Sequence, residues 1–109
     1  MPAAESTIVF LPRFTTLFGA SFTTQPLDVS QFASAQFQFG CGASAGSHKV
    51  YLEESLDCIE WSQGPQSPKA IKVAGGTTKF FSYGFRLRWF RLRVEPASNV
   101  TCWAEGILR

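Results

Sequence analysis

The side chains of this 109-residue sequence that could do chemistry are few and poorly grouped. His48 is the single histidine. A Ser-His-Asp arrangement would have to pair it with Asp28 or Asp57 and a serine, yet there is no Gly-x-Ser-x-Gly elbow to present that serine. The expected role of His48 is therefore a polar residue at the start of a strand. Cys41, Cys58 and Cys102 could join His48 in a zinc site, but the close ligand pairs of zinc folds are missing. Their odd number and the lack of a Cys-x-x-Cys pair argue against a disulfide framework and predict buried free thiols. Asp57 and Glu60 are the residue types of a glycosidase pair, but they lie in one local turn, which explains them better. Gly40-Cys41-Gly42 and Gly75-Gly76 match neither a dinucleotide fingerprint nor a phosphate loop. No enzyme, metal or cofactor is expected.

Charge offers more. The net charge is only +2, but the signs are segregated along the chain. Glu53, Glu54, Asp57 and Glu60 crowd one short stretch, whereas Arg86, Arg88, Arg91 and Arg93 fall in a later region with no acid between Trp61 and Val94. Such asymmetry suits a protein contact, including one between identical subunits, so these eight residues are the candidate partner-binding set. Nucleic acid is disfavoured, because the overall charge is nearly balanced.

The elements that must position these groups read as strands. Eleven Phe and three Trp in so short a chain favour sheets. Ile8 to Leu11 form a first edge strand closed by Pro12, and residues 14–24 form one or two strands bent at Gly19. Ala35, Phe37 and Phe39 alternate with Gln36 and Gln38 ahead of a small-residue tip at residues 40–47. Val50 and Leu52 alternate with Lys49, Tyr51 and Glu53, and two prolines at 65 and 68 set a later loop. In residues 85–94 the apolar parity switches between Trp89 and Phe90. Either a β-bulge there gathers six apolar groups on one face and the four arginines on the other, or a turn around Arg88 splits the stretch. Residues 99–108 close the chain with a two-sided pattern. About eight strands with no useful amphipathic helix imply an all-β, antiparallel β-sandwich, jelly-roll-like, in a single domain over residues 1–109. No apolar run is long enough to span a membrane as a helix, and residues 1–7 do not read as a secretory signal.

The stretch Glu54-Ser55-Leu56-Asp57-Cys58-Ile59-Glu60-Trp61 resembles the Glu/Gly-Ser-x-Asp-Gly-x-x-Trp hairpin of galactose-binding-like, discoidin-type β-sandwiches. It is also similar to the hairpin of small tailed-phage and prophage virion proteins. With that second group the resemblance extends to Pro26-Leu27-Asp28-Val29-Ser30 and Phe90-Arg91-Leu92-Arg93-Val94. It implies a virion structural protein of the capsid decoration or cement type, a homo-oligomer that binds a capsid or other virion protein. Location in a virion, after synthesis in a host cytoplasm, is implied with it; a carbohydrate-binding module, with exposed aromatics such as Tyr51, Tyr83 or Trp103 stacking on sugar, is the alternative that the galactose-binding-like resemblance implies. The chain departs from the pattern at Cys58, which stands where the pattern has glycine, so the turn there must be different or strained.

Overall fold

Alternation of buried and open side chains runs cleanly through the middle of the chain, and it is this alternation that builds two sheets facing each other. The computed structural model describes residues 5–63 and 71–109. Ten strands lie among them: β1 (Ser6–Phe18), β2 (Phe22–Thr23), β3 (Leu27–Asp28), β4 (Ser34–Cys41), β5 (Ser47–Ser55), β6 (Ser62–Gln63), β7 (Ile71–Ala74), β8 (Thr78–Gly84), β9 (Trp89–Glu95) and β10 (Asn99–Leu108). All pairings are antiparallel. The first sheet has the order β1-β10-β4-β8. In the second, β9 and β5 are central; β2 and β3 follow one another along β9, and β6 and β7 lie along the far edge of β5. Counting each broken edge strand once leaves the eight positions expected, in the interleaved order of a jelly roll. The proline loop expected at 65 and 68 lies outside the described residues.

Between the sheets Phe10, Phe37, Phe39, Tyr83 and Phe90 are buried with a set of Val, Leu, Ala and Cys side chains in one core. Phe10 bridges the layers, with its ring centroid 5.1 Å from Phe37 in the first sheet and 5.8 Å from Phe90 in the second. Offset and tilted contacts of this kind suit the ring quadrupoles. The ambiguous last strand turns Val100, Cys102, Ala104 and Leu108 inward.

One expectation needs correction, and one open pair of alternatives is decided. The first strand does not close at Pro12 but continues to Phe18 along β10, with register shifts between Val9 and Leu11 and between Leu11 and Thr15. As an edge strand, β1 can carry a proline because one side has no ladder partner. For residues 85–94 the second alternative holds: there is no bulge, and a bend at Leu87-Arg88 separates β8 from β9. The chain leaves the first sheet at Gly84, crosses, and enters the second at Trp89. The parity switch marks that crossing. Phe90, Leu92 and Val94 are fully buried while Trp89, Arg91, Arg93 and Glu95 point outward. The four arginines are thus not one ladder: Arg86 and Arg88 belong to the crossing segment.

Candidate interaction surfaces

The crossing is held by Glu54. At the end of β5 it is 1% exposed. Its Oε1 accepts the backbone N–H groups of Arg86 at 2.6 Å and Leu87 at 2.9 Å, and its Oε2 accepts the Tyr83 hydroxyl at 2.6 Å. Three donors that the core would otherwise leave unpaired are thereby satisfied. Burial, followed by the bond to Glu54, pushes the Tyr83 hydroxyl above the ordinary tyrosine range. Glu54 is an internal anchor, and its carboxylate does not face a partner.

Glu53, its neighbour, points to the outer face of the second sheet and is also covered. Its two oxygens accept Arg91 Nε and Arg93 Nε, each at 2.9 Å. Arg91 lies over the Trp61 ring at 4.2 Å and Arg93 over the Tyr51 ring at 3.9 Å. Arg93 also reaches Glu95 at 3.0 Å. Planar guanidinium groups suit this double use, bonding a carboxylate in their plane and stacking on a ring with their face. Acid and arginines therefore do come together, but within the chain. Arg88 pairs with Asp28 at 2.9 Å and holds that carboxyl at about 2 through the hydrogen bond. Among the eight candidates, Arg86, Arg88, Asp57 and Glu60 are exposed.

The hairpin after β5 is as the sequence pattern implies. Ser55 Oγ accepts the N–H groups of Asp57 and Cys58, while Asp57 Oδ1 accepts those of Ile59 and Glu60. Those last two bonds hold the Asp57 carboxyl below its usual range. Cys58 adopts φ 63°, the left-handed conformation that glycine would take without cost. The turn geometry is kept and the strain is accepted. Between hairpin and crossing segment lies a cleft of about 320 Å³ bordered by Asp57, Trp61 and Leu87.

His48 is fully buried. Its Nδ1 accepts the Ala97 N–H at 3.1 Å, so the proton of the neutral ring is on Nε2, 2.8 Å from Ser44 Oγ. Imidazole donates to the serine here and is not placed to take a proton from it. Its role is to tie the loop after β4 to the segment between β9 and β10. Among the described residues no three His, Cys, Asp or Glu side chains are grouped to hold a metal ion.

Sequence reasoning overlooked the outer face of the first sheet. There a groove of about 730 Å³ is bordered by Thr7, Val9, Gln38, Phe80, Ser82 and Ile107 among others. Val9 is 51% exposed and Phe80 80% exposed. Further along, Trp103 lies flat on Gly40, where any Cβ would enter the indole ring, and Phe14 meets that ring edge-on at 5.4 Å. Phe14 and Phe18 are themselves largely open to solvent. The parity that exposes Phe80 was present in Phe80-Phe81-Ser82-Tyr83, because two adjacent aromatics on a strand cannot both face the core. As for carbohydrate, Tyr83 is buried, and Tyr51 and Trp103 each carry a guanidinium over the ring, with Arg13 5.3 Å from Trp103.

Known structures share this architecture. One, reported with the finding that Bacillus endospore appendages form a novel family of disulfide-linked pili, matches with a TM-score of 0.67 and 13% identity, over 96% of this chain and 85% of that one. Another is the PBSX exported protein XepA, with a TM-score of 0.69 and 12% identity, over 93% of this chain but 36% of XepA. At such identities the likeness is one of fold. No protein family and no curated protein matches the sequence significantly.

Proposed function

We propose that this chain is a non-enzymatic structural subunit that assembles with copies of itself in a virion or a filament. The observation that carries the reading is the outer face of the first sheet, where Val9 and Phe80 stand open beside a groove of about 730 Å³. Open apolar surface of this kind on a small protein marks an interaction site. The two structural neighbours, one from pili and one a PBSX protein, support a structural role of this class. Decoration of a capsid shell is the finer form that the sequence resemblance supports. In it Arg86, Arg88, Asp57 and Glu60 supply polar contacts at the rim, since they are the exposed members of the charged set.

Native mass spectrometry and light scattering over a range of concentrations test the reading, with electron microscopy for filaments or rings. Symmetric oligomers or polymers are expected, and Phe80→Ser should weaken them without lowering the melting temperature, because that ring makes little contact within the chain. A protein that stays monomeric at high concentration and is absent from purified particles would sink the proposal.

A further inference from the structure

Cys41 and Cys102 face each other across the two central strands of the first sheet, β4 and β10. They are 2% and 0% exposed, and their sulfur atoms are 3.8 Å apart. The Gly42 N–H donates to the Thr101 carbonyl at 2.8 Å. That bond lies one residue beyond the pair, so the two cysteines occupy a non-hydrogen-bonded position of the ladder. Residues so placed have Cα atoms roughly 4.5 Å apart with side chains leaving the same face, which falls within the roughly 4.4–6.8 Å that a disulfide spans. Rotation about the two Cα–Cβ bonds is enough to bring the sulfurs together. A hydrogen bond between the thiols lowers one member of the pair and raises the other, so one is the first to ionise. Cys58 is excluded as a partner for either. Cys41 precedes the loop that Ser44 ties to His48 at the start of β5, whereas Cys58 follows the end of that nine-residue strand, roughly 25 Å away.

We propose that Cys41 and Cys102 are a disulfide-forming pair, oxidised by a small-molecule disulfide such as oxidised glutathione. The thiolate of one cysteine attacks a glutathione sulfur, the glutathione S–S bond breaks, and one glutathione leaves as thiolate. The second cysteine gives its proton to solvent and attacks the protein sulfur of the mixed disulfide, releasing the other glutathione. Two protein thiols are oxidised, one glutathione disulfide is reduced to two thiols, and one S–S bond joins β4 to β10. Entry is by opening at the end of β4, where Cys41 is the last residue of the strand. The geometry stands independently of the assembly reading.

The test is to incubate the folded wild-type chain with oxidised glutathione, block remaining thiols with N-ethylmaleimide after unfolding, and map the peptides by mass spectrometry without reduction. Expected are chains lighter by two hydrogens, a Cys41–Cys102 link within one chain, and a blocked or glutathionylated Cys58. The melting temperature should rise by roughly 10 °C or more, since the link closes a long loop, and fall back with dithiothreitol. Cys58→Ser should leave the link intact, and Cys41→Ser should abolish the mass loss. Cys41 and Cys102 both still taking up N-ethylmaleimide after prolonged oxidation, or linking only between chains, would overturn the proposal; wild-type mapping decides this even if a variant fails to fold.

Discussion

Replacing Glu54 with alanine separates an internal anchor from a contact charge. The wild-type carboxylate accepts three hydrogen bonds, from the backbone N–H groups of Arg86 and Leu87 and from the Tyr83 hydroxyl. In Glu54→Ala none of these donors has its partner. Leaving a buried donor unpaired costs about 1–3 kcal/mol. The two backbone groups are only part-buried, so water recovers some of the loss, and about 1 kcal/mol each is a fair figure for them. The Tyr83 hydroxyl is buried, and about 1–2 kcal/mol is appropriate there. Together the loss is about 3–4 kcal/mol, a large share of the roughly 5–15 kcal/mol that holds a domain folded. Tyr83→Phe removes one bond and should cost about 1–1.5 kcal/mol. Glu54→Gln keeps an acceptor for the backbone pair and can donate its amide to Tyr83, so it should cost about 1 kcal/mol or less. Urea unfolding followed by fluorescence gives the three values, and the order Ala, Phe, Gln is the prediction. A Glu54→Ala loss below about 1 kcal/mol, or a loss of assembly with stability intact, would refute the assignment of Glu54 to the interior.

Cys58→Gly should stabilise the hairpin by about 0.5–1 kcal/mol, since relief of the left-handed strain exceeds the added chain entropy; thermal unfolding reads it. Gly40→Ala should displace the Trp103 indole, lower stability by about 1–3 kcal/mol and shift tryptophan emission to the red. Burial holds His48 below its ordinary 6.5, so the unfolded chain takes up a proton that the native ring refuses as pH falls through that value. Stability should therefore decline in urea titrations as the pH is lowered from about 7 through 6.5, and His48→Asn, less stable at neutral pH, should lose that part of the slope.

The sheets were legible because their inner faces alternate: Ala35, Phe37 and Phe39 on β4, and Val50 and Leu52 on β5, report period two directly. The hairpin was legible because Ser55 and Asp57 act locally, on amides two or three residues away. What the sequence hid was long-range. Glu54 looks like one more acid of a charged turn until Tyr83 and the crossing segment are brought to it, 29 to 33 residues further on. Likewise Glu53 looks free until Arg91 and Arg93, carried by the neighbouring strand, close over it. Segregated charge proved to be complementary charge on paired strands.

The place of β10 in the first sheet has a consequence for how the chain is made. It lies between β1 and β4, with Ser6 opposite Leu108 and Cys41 opposite Cys102. On a ribosome, β1 has no neighbour to join until residues 99–108 have emerged, however early it leaves the exit tunnel. Pairings so distant in sequence form slowly. Val9, Phe14 and Phe18 thus wait in the nascent chain beside side chains later enclosed, and an arrest before residue 99 yields an open-edged species prone to capture by chaperones or by other unfinished chains.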